Sequence, residues 1–214
     1  MPFLLDDGMI LDFARKRNHM EKHSIITISR QFGSGGHEIG KRLAEELGYK
    51  FYDNELINLA AAASGLSKDV FTKSEEAKAL PEGSLLADSN NKKNDKIFAI
   101  KADVIKHIAE RGDCIIVGRC ADYILESWDT FDVFVHAPED SRINRLMKMH
   151  ADWDEKTAKK HIKSNDNDRA GYYKHYTGRD WGQAYNYTLC LDSGAFGVDG
   201  CVKAIIQCSM LNIQ

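Results

Sequence analysis

The chain has 214 residues, enough for one ordinary domain with a substantial buried core. Hydrophobic residues make up 43% and charged residues 29%, a globular balance that argues against both disorder and a membrane-embedded chain. A net charge of −3 gives no general attraction to a nucleic-acid backbone.

Residues 1–22 lack the basic start and small-residue cleavage site of a signal peptide. They read as a short amphipathic extension, or as a start assigned ahead of Met20; residues 23–214 read as a single domain. The run 25–29 (IITIS) has the β-branched composition of a strand in a parallel sheet. A glycine-rich turn follows. Residues 38–47 then place Ile39, Leu43, Ala44 and Leu47 on one helical face, and Gly48 ends that helix. Residues 51–52 predict a brief strand, 54–63 and 67–78 two helices, and 80–95 a polar, turn-rich mobile excursion. An amphipathic helix over 96–111 turns Ile97, Ile100, Val104, Ile105 and Ile108 inward. Buried strands are expected at 114–117 and 131–136, and helices at 138–150 and 154–168. A last strand at 187–191 and a closing helix over 198–210 complete the pattern. Strands alternating with helices predict an α/β architecture, a parallel sheet covered on both faces.

The five cysteines, Cys114, Cys120, Cys190, Cys201 and Cys208, form no C-x-x-C pair. Their odd number argues against a disulfide framework. Reduced thiols in a cytoplasmic protein are the expectation.

The chemistry concentrates where a strand passes through Gly33, Ser34, Gly35, Gly36 and His37 into a helix. Phosphate needs closely approaching backbone N–H groups, glycine permits that approach, and the helix points its positive end at the anion. Glycines serving only a tight turn are the plainer alternative. Two loop types compete for the phosphate reading. A dinucleotide fingerprint puts glycine at the strand's end and an acid about 20 residues on, where Asp53 stands. Arg30, Gln31 and Phe32 lengthen this loop, which suits a P-loop better.

From here the chain resembles the cytidylate kinase-like branch of the P-loop nucleoside monophosphate kinases, over residues 25–206. The stretch 26–48 tracks that branch's phosphate-loop unit, and Tyr52-Asp53-Asn54 resembles the strand that opens its monophosphate site. Val117-Gly118-Arg119 resembles its glycine-arginine turn, 136–145 its arginine-bearing helix, 165–170 its lid segment and 189–193 its final strand. The resemblance implies a three-layer P-loop kinase fold with a helical lid over about 155–183. It also implies ATP and Mg2+ as cofactors and a nucleotide substrate, CMP or dCMP. The loop is degenerate in this alignment: Arg30 takes the first loop glycine's place, Gly36 the lysine's and His37 that of the metal-binding serine or threonine. Val117 and Cys120 replace acids, and Leu59 replaces an arginine of the monophosphate site.

Phosphoryl transfer relies on positioning and on neutralising spread charge, so arginines can serve where lysine is missing. Arg30 lies inside the loop and Arg119 leaves a strand's C-terminal end, where ligands of open α/β sheets sit. Arg142, Arg169 and Arg179 lie in the segments resembling the lid and its hinge helix. Each has the alternative of a solvated surface charge, which is the expectation for Arg42 and Arg145. The remaining cofactor candidates are Gly33, Ser34, Gly35, Gly36 and His37, with His37 either touching phosphate or merely filling the loop. Asp53, Asn54 and Arg119 are the substrate-side candidates; Asp53 alternatively serves as a helix N-terminal acid. Residues 171–183 interleave aromatics with Lys174, His175 and Arg179, and read better as a hinged lid than as a nucleic-acid surface.

Three functions follow: an ATP-dependent phosphotransferase acting on a nucleoside monophosphate or similar small acceptor, a non-catalytic nucleotide-binding module, and a dinucleotide-binding oxidoreductase. Neither a membrane nor a nucleic acid is expected as partner.

Overall fold

The computed structural model describes residues 24–53, 55–69 and 85–211. The expected extension over 1–22, Asn54 and most of the helix expected over 67–78 lie outside the described residues.

In chain order the elements are β1 (Ile25–Arg30), α1 (Gly36–Leu47), β2 (Lys50–Tyr52), α2 (Glu55–Ser64) and α3 (Leu85–Ala109). There follow β3 (Cys114–Val117), the single-turn α4 (Ala121–Ile124), β4 (Phe131–His136), α5 (Glu139–Met149), α6 (Glu155–Thr177), β5 (Leu189–Asp192) and α7 (Ser193–Ser209). All strand pairs are parallel, in the order β2-β3-β1-β4-β5. This is the three-layer α/β fold expected, with helices on both faces.

Strand alternation sorts the core. Ile26, Ile28, Val133, Val135 and Leu191 face one way and pack under Ile39 and Leu43 of α1 and Val202 and Ile205 of α7. Ile25, Cys114 and Ile116 face the other way, under Leu56 of α2 and Ile105 and Ile108 of α3. The second face also carries a polar pair, in which the buried Thr27 hydroxyl donates to Asp132 at 2.6 Å.

The strand order decides between the two loop types. In a dinucleotide-binding sheet the first two strands are neighbours; here β3 stands between them and pushes β2 to the edge. The dinucleotide reading is therefore withdrawn.

Two segments differ from their sequence-based expectation. Residues 85–95 do not form an excursion but the front of the 25-residue helix α3. After Gly83 the run has neither Pro nor Gly to break a helix, so its Asn, Asp and Ser residues carry only a weak helical penalty. Contacts farther along α3 favour the helix: Phe98 stacks on Tyr176 of α6 at 4.0 Å between centroids. Helix α6 likewise runs on past residue 168 to Thr177, so Gly171 sits inside a helix and the expected hinge there is absent. Buried Ile162 and Tyr173, two contacts on the packed side of α6, outweigh the penalty of one glycine. The helix ends at Gly178, whose N–H bonds the Lys174 carbonyl from a left-handed φ of 70°.

Candidate phosphate-binding site

The Gln31 N–H donates to Val135 O at 2.9 Å, carrying the sheet one residue past β1. The chain then turns through Gly33 and Gly35, at φ 79° and 82°. The first helical bond of α1 runs from Ile39 N–H to Gly35 O at 2.9 Å, so the N–H groups of Gly36 and His37 precede the helical ladder. Among the described residues the N–H groups of Gly33, Gly35, Gly36 and His37 donate to no protein acceptor. Ser34 is used differently: its hydroxyl donates to Gln31 O at 2.8 Å, and its carbonyl accepts from Ser193 at 2.6 Å. That contact ties the turn to the start of α7.

Arg30 crosses this turn. A Cβ on Gly36 would stand 2.5 Å from Arg30 Cβ and 2.8 Å from its Cγ, and a Cβ on Gly118 would collide with Nη1. The side chain therefore lies against Gly36, passes Gly118 and ends with Nη2 3.7 Å from Asp53 Oδ1. The buried Asp53 also takes His37 Nδ1 on its other oxygen at 2.6 Å, while the His37 ring meets Phe51 edge-on. Two residues of the turn region thus converge on one carboxylate from the end of β2.

Arg119 leaves β3 through three consecutive left-handed residues, Gly118, Arg119 and Cys120, at φ 74°, 61° and 56°. A non-glycine residue there carries backbone strain of about 1–3 kcal/mol each, a feature that collects at functional sites. Arg169 comes from α6 and donates to the Arg30 carbonyl at 2.8 Å, its guanidinium 5.6 Å from the Phe32 ring centre. Burial lowers its pKa. Arg30, Arg119 and Arg169 line one cavity of about 300 Å³, together with Tyr172 and Trp181. The cavity sits beside the glycine turn, at the C-terminal ends of β1 and β3.

The other two candidate arginines are engaged elsewhere. Arg142 is buried and bonds Asp166 at 2.6 Å and the Phe32 carbonyl at 3.3 Å. Arg179 is exposed, pairs with Glu126 at 2.6 Å and lies 5.0 Å from the Tyr123 ring centre.

Sequence reasoning missed three contacts. Asp166 accepts from the Phe32 N–H at 2.7 Å, so α6 holds the loop's first half through both Asp166 and Arg169. The Arg145 guanidinium, expected on the open surface, lies against Gly35 and pairs with Glu38; a Cβ on Gly35 would meet it at 3.1 Å. Lys101 of α3 is buried, with Nζ 5.9 Å from the centre of the Tyr172 ring that lines the cavity. For Asp166 the segment 165–170 was a signal, and for Arg145 the arginine-bearing segment 136–145. Lys101 stands four residues after Ile97 and four before Ile105, on the inward face of its helix, and that spacing was the signal passed over.

The fold and its glycine turn define a P-loop kinase-type α/β protein. The chain belongs to the cytidylate kinase-like family, whose model matches residues 25–195. Among solved structures it is similar to an uncharacterized protein from Eubacterium ventriosum ATCC 27560, at 29% identity and TM-score 0.67, covering 86% of this chain and 97% of that one. It also resembles shikimate kinase from Bacteroides thetaiotaomicron, at 13% identity and TM-score 0.52, over 87% and 98% of the two chains. TT1252 from Thermus thermophilus is similar at 13% identity and TM-score 0.51, over 87% and 98%. At such identities the last two speak for the fold alone. Among curated proteins none matches. Family and fold support a kinase-like, nucleotide-binding function. No helix among the described residues is long and apolar enough to cross a membrane.

Mg2+, which the family implies, does not fit the side chains at its expected position. The residue that the resemblance sets there is His37, an imidazole, whereas Mg2+ takes oxygen ligands. Asp53, the nearby carboxylate, faces His37 through one oxygen and Arg30 through the other.

Proposed function

We propose that the chain is a phosphotransferase that holds the phosphates of ATP at the turn Gly33–His37 and a small anionic acceptor in the adjoining cavity. The observation that carries this reading is the path of Arg30 across Gly36. By the sequence resemblance, the loop lysine would belong at Gly36 and a glycine at Arg30. The exchange puts the positive charge on the opposite side of the turn but sends its side chain over the same spot. The bare N–H groups of Gly33, Gly35, Gly36 and His37 then receive phosphate oxygens at the positive end of α1.

In transfer, an acceptor oxygen attacks Pγ, the bond from Pγ to the bridging oxygen breaks, and ADP leaves with that electron pair. Charge spreads over the equatorial oxygens of the moving group. Arg30, Arg119 and Arg169 converge on that region and neutralise it; none needs to move a proton. The aromatic walls at Tyr172 and Trp181 offer a face to a planar ring, and Asn165 and Asp168 line the same cavity as donor and acceptor for ring or sugar groups. A nucleoside monophosphate such as CMP or dCMP has all three features. Asp53 orients Arg30 and His37 from behind. Arg142 acts at one remove, by fixing the loop to α6, and Arg179, paired with Glu126 outside the cavity lining, is given no part in the transfer. Asn54, next to Asp53 in the chain, is retained as a substrate-side residue on the family alignment.

The test is ADP release from ATP over a panel of nucleoside monophosphates, with Mg2+ and with Mn2+. Turnover with one acceptor supports the reading, and R30A should abolish it. No turnover with any acceptor, combined with tight ATP binding, would instead select the non-catalytic nucleotide-binding module. That second reading draws on one observation: Asp166 and Arg169 hold the loop closely to α6.

A further inference from the structure

The structure assigns to His37 Nε2 the binding of the nucleotide's divalent ion, and with it a preference for an imidazole-accepting ion of the Mn2+ to Zn2+ series over Mg2+. This rests on the phosphate-binding reading of the turn.

Three observations carry it. His37 Nδ1 lies 2.6 Å from Asp53 Oδ2. A carboxylate accepts only from a protonated nitrogen, so Nδ1 carries the hydrogen, and the lone pair of the neutral imidazole is then on Nε2. That is the carboxylate–histidine arrangement that fixes tautomer and ring orientation behind a metal ligand. The ring is also held edge-on by Phe51 at 5.2 Å, yet its side chain is 59% exposed, so Nε2 is both oriented and reachable. Finally, Asp53 is 8% exposed at its side chain, and its Oδ1 is buried and accepts no hydrogen bond among the described residues. That oxygen faces the Arg30 guanidinium at 3.7 Å, so the carboxylate is held between two partners and fixes the ring from behind.

His37 is the second residue of α1, beside the bare N–H groups proposed to cradle phosphate. The protein offers no further cluster: no group of three or more His, Cys, Asp or Glu among the described residues could hold a metal. The remaining ligands must come from nucleotide phosphate oxygens and water. One nitrogen with several hard oxygens suits Mn2+, Co2+ or Zn2+; Mg2+ gains nothing from imidazole.

The experiment uses the full chain with ADP, at metal concentrations that convert all ADP to its complex. ADP affinity is measured by calorimetry with EDTA, MgCl2 and MnCl2, for the wild type, H37S and H37A. The Mn2+ ternary complex is then probed by electron spin echo modulation for a bound 14N nucleus. The wild type should bind Mn2+–ADP about 10–100-fold more tightly than Mg2+–ADP and carry the nitrogen signature. H37S should lose that signature and turn toward Mg2+, whereas H37A should lose the preference without gaining Mg2+. Metal-free thermal midpoints of the variants report whether this exposed substitution leaves the fold intact. Equal affinity for the two complexes, or Mn2+ without nitrogen modulation, overturns the assignment and leaves phosphate binding standing. No ADP binding under any condition overturns both.

Discussion

Arg30 and Gly36 share one space: the Cβ that Gly36 lacks would lie 2.5 Å from the Cβ of Arg30. Because the neighbouring atoms are a main-chain-anchored Cβ and Cγ, no rotamer change relieves the contact. G36A should therefore destabilise the protein by about 1–3 kcal/mol, the range for overpacking. R30G removes the opposing atoms and should rescue the stability of G36A while losing nucleotide affinity. The double variant R30G/G36K should regain part of that affinity, because lysine then enters the same gap from the other side. Thermal unfolding and ADP calorimetry on the wild type, G36A, R30G, R30G/G36A and R30G/G36K check this cycle. Additive effects of G36A and R30G would contradict the shared space.

Asp166 joins Arg142 to the Phe32 N–H, and both side chains are largely buried. D166A leaves the Arg142 charge without its carboxylate and the amide without an acceptor. Removing one partner of a buried pair costs about 3–5 kcal/mol, and each kcal/mol shifts the melting point of a chain this long by about 2–4 °C. D166N keeps an oxygen for the amide and should fall between the two. A melting point unchanged in D166A would mean that α6 does not hold the loop.

Burial pushes Asp122 up from 3.8 to about 6, against the opposing hydrogen bond from Tyr173 at 2.6 Å. Between those pH values the folded protein keeps a proton that the unfolded chain has released. Stability should accordingly fall as pH rises from about 4 to 6 and then level off, by at most about 3 kcal/mol for a two-unit shift. D122N retains an acceptor for the Tyr173 hydroxyl and should flatten that slope. Urea unfolding at intervals from pH 4 to 7.5 reads the difference.

Arg119 occupies a left-handed position, so R119G removes the guanidinium while easing the backbone. An acceptor phosphate that loses a charge-assisted hydrogen bond of about 1.5–3 kcal/mol should bind roughly 10–150-fold more weakly. The fold should be kept or slightly stabilised. Trp181 lines the same cavity and packs edge-on against Phe134 at 5.3 Å, so its fluorescence reports occupancy. Nucleoside monophosphates that leave this emission unchanged are not the acceptor.

Hydrophobic period and glycine placement determined much of this protein in advance. Both are local: alternate residues of β1 must face opposite layers, and Gly33, Gly35 and Gly48 take backbone conformations that other residues rarely adopt. The strands, the helix after the loop and the parallel α/β class followed from them. The family resemblance added the loop alignment, and with it the oddity of Arg30, Gly36 and His37.

Tertiary structure alone decided which charges meet. In sequence, Arg119 and Arg169 stand ahead of Arg142 and Arg179 as candidates, but nothing local says what each one meets; the packing of α5 and α6 against the loop gives Arg142 to Asp166 and brings Arg169 to the cavity. The polar run 85–95 was illegible for a related reason, since its helix continues a segment held by contacts with α6, far off in the chain. The sheet order, with β3 between β1 and β2, likewise depends on pairings across more than sixty residues, which no local pattern encodes. Spacing along the chain sets what each residue can do; the distance-dependent electrostatics and packing of the folded state set which of those things it does.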